Sequence, residues 1–265
     1  MDFVGASLPL SDTGLQDCAR LLNVGAAEIW TILSVETHAC GFLPDRRPQI
    51  LFERHLFHQQ TKGVFDTSHP SISASTPGGY AGGAREYDRL HEAVALNRIA
   101  ALSSASWGLG QVLGLNWKVA GFAGLDPMIK AMQDSEDQQL SAVANFLHAR
   151  KLHQLLAAHD WSGFAREYNG PDFQKNAYDA RLKSAFAGFS KALPSIQVRQ
   201  AQILLMFLGL NSGAIDGIPG RQTQQALADF QRQYGMDVST RLDDILLKAL
   251  LAANGIHRTQ SAARA

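Results

Sequence analysis

Two glutamates stand where a carboxyl group can move protons. Glu36 closes the apolar run Ile29-Trp30-Thr31-Ile32-Leu33-Ser34-Val35, and Gly41 follows shortly after. A carboxyl at the C-terminal end of such a helix is partly desolvated and faces the negative end of the macrodipole. Both effects favour the neutral acid. A protonated carboxyl near neutral pH is what a general acid needs, for instance to protonate the leaving oxygen of a glycosidic bond. Glu53 follows the apolar Ile50, Leu51 and Phe52 and precedes Arg54 and His55. It suits a base that activates water, a carboxylate that stabilises positive charge on a sugar, or an internal ion pair with Arg54 or another arginine. A gap of about 6.5–9.5 Å between two such carboxyls leaves room for a water and favours inversion, and about 5–5.5 Å favours retention.

Two further clusters accompany them. In Ser106-Trp107-Gly108-Leu109-Gly110-Gln111, Gly108 permits close approach of a sugar or a backbone, and Ser106 and Gln111 offer hydrogen bonds. Trp107 is either a stacking wall or core, and core is favoured because large aromatics are usually buried. Tyr168-Asn169-Gly170-Pro171 precedes Asn176 and Tyr178. The Tyr168 hydroxyl suits positioning a water or an acid, or else a buried tyrosine with its OH satisfied. His38, His55, His58 and His69 lie near Cys40, but the only paired spacing is His55-x-x-His58, and no HExxH or paired-cysteine pattern supports a metal. No metal or cofactor is expected.

Helices must carry these residues. Apolar periodicity marks helices over 12–22, capped by Asp12 or Thr13, over 26–38, and in long stretches over 88–104 and 135–157. The last opens with Ser135-Glu136-Asp137-Gln138, a capping-box pattern. No period-two run of β-branched residues appears, and 41–80, with Pro44, Pro48, Pro70 and Pro77, reads as irregular. Leu193-Pro194-Ser195 suits a boundary. Beyond it, 196–252 reads as three short helices separated by the turn-rich Gly209-Leu210-Asn211-Ser212-Gly213-Ala214-Ile215-Asp216-Gly217-Ile218-Pro219-Gly220, with Gly235 ending the second helix. Gly213, Gly217 and Gly220 permit positive φ, and Asp216-Gly217 reads as an Asx-type turn. His257 onward lacks an apolar face and reads as a frayed tail.

The 265 residues hold 24 Lys+Arg, 24 Asp+Glu, two cysteines and 46% hydrophobic side chains. This excludes a basic nucleic-acid binder, an acidic tail protein and a disulfide scaffold. The neutrality is a sum of unequal parts: 16 Lys+Arg against 19 Asp+Glu in residues 1–190, then 8 against 5 in 191–265. The N-terminus has no basic start or long apolar run, so no secretory signal is visible. No window nears eighteen uninterrupted apolar residues. A protein made in the cytoplasm is expected, without stable membrane association.

Residues 196–252 resemble the small helical peptidoglycan-binding module of cell-wall hydrolases. The resemblance rests on Leu208-Gly209-Leu210, Gly213, Ile215-Asp216-Gly217-Ile218, Gly220, Thr223, Ala226-Leu227, Phe230-Gln231 and Gly235. That family's second glycine-bearing turn is replaced here by Ser239-Thr240-Arg241-Leu242. Upstream, Ser34-Val35-Glu36-Thr37-His38-Ala39-Cys40-Gly41-Phe42-Leu43-Pro44 with Ile50–His55, the S-x-G-L-x-Q run at 106–111 and the Tyr168 cluster together resemble the N-acetylmuramidase domain of phage endolysins, within the lysozyme-like group. The resemblance spans roughly 25–185.

The resemblance implies a mainly α protein: a lysozyme-like catalytic domain over 1–190, a three-helix peptidoglycan-binding domain over 196–253 and a flexible tail over 254–265. It implies hydrolysis of the β-1,4 bond between N-acetylmuramic acid and N-acetylglucosamine, with Glu36 as acid and Glu53 and Tyr168 assisting. Ser106, Trp107, Gly108, Gln111 and Asn169 would then meet the glycan, Ser106 and Gln111 through its acetamido groups. The loop Pro77-Gly78-Gly79-Tyr80-Ala81-Gly82-Gly83 lacks the Lys-Ser/Thr ending of a phosphate cradle. It is either a cleft edge with Tyr80 near the glycan or a plain connector. The rival readings are a lytic transglycosylase, which attacks with the sugar's own C6 hydroxyl, a non-catalytic wall-binding protein, and, more remotely, a zinc-dependent amidase or peptidase. Glycan strands are the expected partner of a monomer released to the periplasm by a holin.

Overall fold

The computed structural model describes residues 2–36, 40–170, 174, 177–239 and 241–256, with only the backbone described at Glu36 and Asn169. His38, Pro171 and Asn176, part of the turn 239–242 and the tail from His257 lie outside the described residues. The chain divides into two compact units, Met1–Leu193 and Pro194–Ala265.

The larger unit is built on a helix buried all round. Helix α2 (Ala26–Glu36) buries Ile29, Trp30, Thr31, Ile32, Leu33 and Val35, each large apolar side chain contributing roughly 1.5–3 kcal/mol. Its hydroxyls close on its own backbone: Thr31 Oγ1 donates to Ala27 O at 2.7 Å and Ser34 Oγ to Thr31 O at 3.0 Å. Helices α1 (Asp12–Leu22) and α10 (Tyr178–Phe189) pack against it, and α7 (Glu136–Ala149) packs on α1. The cap of α1 is Ser11, not Asp12 or Thr13; its Oγ accepts the Gly14 N–H at 3.0 Å.

The two long periodic stretches each break. Between α4 (Glu86–Leu96) and α5 (Arg98–Ser103), Asn97 is extended and its side chain accepts the Ala100 N–H at 3.1 Å, starting a new helix. Between α7 and α8 (Leu152–Ala157), Lys151 adopts φ 59 with no glycine or proline to announce it. The Ser135 cap is as its pattern predicts, accepting the Gln138 N–H at 3.2 Å.

A small sheet starts in the stretch read as irregular and is completed by two strands beyond residue 104. Strands β1 (Ile50–Phe52), β2 (Ala105–Trp107) and β3 (Val112–Leu113) pair antiparallel in that order. They are too short to show an alternating pattern. Helix α3 (Arg54–Thr61) follows β1 directly.

The smaller unit holds α11 (Ile196–Phe207), α12 (Arg221–Gln233) and α13 (Asp244–Ala253) around Leu204, Leu205, Phe230 and Leu250. Gly213 and Gly217 take positive φ, whereas Gly220 does not and caps α12.

Candidate active site

The sheet sorts its side chains by register. Leu51 opposes Ser106 and Ser106 opposes Leu113, so these three share one face. Ile50, Phe52, Ala105, Trp107 and Val112 share the other, and all five are buried. Trp107 is therefore core: it is 0% exposed and its Nε1–H donates to Leu102 O at 3.1 Å. A sugar cannot stack on it, which removes it from the expected glycan contacts. Glu53 extends β1 by one residue, its N–H bonded to Ser104 O at 2.9 Å. Two residues on from Leu51, it belongs to the face of Ser106, diagonal to it at roughly 7–8 Å by sheet geometry.

Ser106 and Gln111 hold each other. Ser106 Oγ donates to Gln111 Oε1 at 2.8 Å, and Gln111 Nε2 donates to Gly108 O at 2.9 Å and to Gln49 O at 3.3 Å. Their donors thus close the turn after β2, and each oxygen keeps a lone pair beyond that bond. Gly108 takes φ 68, and an added Cβ would sit 2.6 Å from Gln139 Cδ. What approaches Gly108 closely is the Gln139 side chain of α7, where the sequence left a sugar or a backbone open. Gly110 is tighter still, since a Cβ there would lie 2.0 Å from Val143 Cγ2.

Tyr168, on α9 (Trp161–Asn169), donates its hydroxyl to Gly110 O at 3.1 Å and stacks on Phe164. It is half-buried and, with Gly110, Gln111, Leu113, Asn116 and Phe146, lines a groove. The structure thus brings Ser106, Gly108, Gln111 and Tyr168 into one cluster. Helix α2 ends at Glu36. Past the undescribed residues the chain pairs back through Gln49 N–H to Gly41 O (2.8 Å) and runs into β1.

Glu53 is not paired with Arg54. The Arg54 guanidinium turns to the loop beyond α3, donating to Thr76 O at 2.9 Å and Pro77 O at 3.1 Å. The Glu53 carboxylate instead accepts the Tyr80 hydroxyl, at 2.9 Å on Oε2 and 3.2 Å on Oε1. His55 Nδ1 lies 3.2 Å from Oε2 without hydrogen-bond alignment, so their attraction is coulombic and present only when the imidazole is charged. His58 faces a different carboxylate, Asp66 Oδ2, at 2.7 Å. Among the described residues no three His, Cys, Asp or Glu side chains converge as a metal site.

Residues 25–190 match the family described as N-acetylmuramidase. The chain belongs to that family. Residues 195–250 of this muramidase match a second family, described as a putative peptidoglycan binding domain. Among solved structures, the muramidase is similar to the "Crystal structure of Burkholderia AP3 phage endolysin", with 37% identity and a TM-score of 0.65, over 69% of this chain and 72% of that one. No curated protein matches it.

The muramidase's site loops hang on buried polar side chains that sequence reasoning did not single out. Glu136 Oε1 accepts the Gly41 N–H and Oε2 the Leu10 N–H, both at 2.8 Å. Gln139 Oε1 accepts the Leu109 N–H at 2.8 Å and its Nε2 donates to Met132 O at 2.7 Å. Fully buried Glu86 pairs with Arg89 at 2.8 Å and accepts the N–H groups of Phe52, Ala81 and Gly82. Burial opposes the Glu86 charge, but the three N–H donors and Arg89 outweigh it and hold the carboxyl below its usual range. The i, i+3 spacing of Glu86 and Arg89 was the visible signal, and it reads equally as an exposed helix pair.

In the smaller unit, Gln202 organises the turn that carries the family resemblance. Its Oε1 accepts the Asp216 and Gly217 N–H groups at 3.1 and 2.9 Å, and its Nε2 donates to Asp216 Oδ1 at 3.0 Å and Thr223 Oγ1 at 3.1 Å. Asp216 Oδ1 also accepts the Ile218 N–H at 2.9 Å, the expected Asx turn.

Proposed function

We propose that this muramidase cleaves the β-1,4 bond between N-acetylmuramic acid and N-acetylglucosamine with Glu36 as general acid and Glu53 as its partner. The observation that carries the reading is the sheet face that aligns Glu53 with Ser106, beside the Gln111–Tyr168 groove. Glu36 gives its proton to the leaving glycosidic oxygen as the C1–O bond breaks. Water adds its oxygen to C1, and its proton passes to Glu53. Tyr168, tied to Gly110, shapes the groove wall, with Asn169 following it. Gln111, held in place by Ser106 and Gly108, forms the floor, and the free acceptor lone pair on its side-chain oxygen is suited to an acetamido N–H.

The C-terminal unit holds the enzyme on its polymeric substrate and so raises the local concentration of cleavable bonds. Similarity to a phage endolysin supports a role in host lysis. In this reading the chain accumulates as a monomer in the host cytoplasm and reaches the wall through a holin.

The test is Glu36→Gln on purified sacculi. Wall binding and melting temperature should match the parent, while release of muropeptides falls at least about a thousandfold. Near-parental release would overturn the assignment. Mass spectrometry of parental products should show reducing ends that have gained water; anhydro ends would instead indicate transglycosylation.

A further inference from the structure

The geometry points to Tyr80 as a positioning residue that fixes the Glu53 carboxylate for the reaction. The inference rests on the reading of Glu53 as the carboxylate that serves the attacking water.

The loop around Tyr80 is already anchored at both ends without it. At its start, Arg54 donates to Thr76 O and Pro77 O. At its end, Glu86 Oε1 accepts the Ala81 and Gly82 N–H groups, the latter at 2.9 Å. Only Gly78, Gly79 and Tyr80 lie between these ties. Gly78 and Gly79 take φ 108 and 74, a conformation that side chains rarely adopt, and this short reversal aims Tyr80 at the end of β1.

Tyr80 is 48% exposed, yet its hydroxyl lies within hydrogen-bond reach of both Glu53 oxygens. Ordering an exposed tyrosine costs side-chain entropy, and a loop tied by Glu86 and Arg54 does not need that contact to hold its path. The gain falls on Glu53 instead. The phenol is closer to Oε2, the oxygen that also faces His55 Nδ1 at 3.2 Å. Oε1, at 3.2 Å from the phenol, is left as the less engaged oxygen and so the one to take a proton from water. Burial and the hydrogen bond to Glu53 both push the Tyr80 hydroxyl up, so it stays a neutral donor across the working pH range.

The experiment measures kcat and KM on purified sacculi for the full chain and for Tyr80→Phe, Glu53→Gln and the double variant, with melting temperatures. Phenylalanine keeps the ring and removes one charge-assisted hydrogen bond. The expected loss is about tenfold in kcat, with KM within about twofold and the melting temperature unchanged. On the residual activity of Glu53→Gln, Tyr80→Phe should cost nothing further, because the two act as a unit. If Glu53→Gln is inactive but Tyr80→Phe matches the parent, the inference falls and the role of Glu53 stands. If Glu53→Gln matches the parent, both fall. A Tyr80→Phe effect on KM alone, or one that tracks lost thermal stability, also overturns positioning.

Discussion

At the scale of single residues, one buried ion pair ties loops of the muramidase to its core. Glu86 is buried against Arg89 and receives three backbone N–H groups, two of them from the loop that bears Tyr80. Removing one partner of such a pair leaves the other charge buried and uncompensated, at a cost of about 3–5 kcal/mol. Glu86→Ala should therefore lower the denaturation midpoint accordingly, and urea titration checks it. The pH dependence has a defined sign. The folded carboxyl lies below its ordinary value of 4.5, so its contribution is present above that pH and fades as pH falls through the folded value. The parent should lose stability on acidification below about pH 4.5 more steeply than Glu86→Gln. The i, i+3 spacing of Glu86 and Arg89 is legible in the sequence, but their burial is not. A buried Glu and an exposed one look alike in sequence, whereas apolar flanks mark Glu36 and Glu53.

At the scale of elements, the turn bearing Gly108 and Gly110 sits directly on α7. Gly110→Ala would drive its new methyl into Val143, 2.0 Å from Cγ2, and overpacking of this kind costs about 1–3 kcal/mol. A fall in melting temperature of about 2–4 °C per kcal/mol is expected, with reduced lysis. Val143→Ala in the same chain should restore much of both, and failure of that rescue would mean the turn does not rest on α7. The helices were readable because their apolar periods are long and their caps are explicit, as at Ser135. The sheet was not. Strands of three, three and two residues carry no period, and the alternation that puts Trp107 in the core and Ser106 on the opposite face appears only once the register is known. The break at Lys151 left no mark because a non-glycine residue takes the left-handed turn there.

At the scale of the whole molecule, two units share one chain, and the charge divides with them: 7 Lys+Arg against 5 Asp+Glu in residues 194–265, and 17 against 19 before them. A chain ending at Leu193 should cleave soluble glycan fragments at the parental kcat but need at least about tenfold more enzyme on sacculi. Added salt should narrow that difference, since screening weakens attraction to an anionic wall. An equal rate on sacculi would refute the tether. The matched muramidase region begins at residue 25, yet Glu136 holds Leu10 N–H with one oxygen and Gly41 N–H with the other, and α1 packs on α7. The recognisable region is thus smaller than the part that folds. An enzyme trimmed to residues 25–190 would strip the cover from α7 and take the Leu10 N–H away from a buried carboxylate, and should aggregate on expression. Phe3 is fully buried against Tyr87 and Trp107, so shortening from the front should fail once it reaches Phe3, and a minimal lytic protein has to be cut by its contacts.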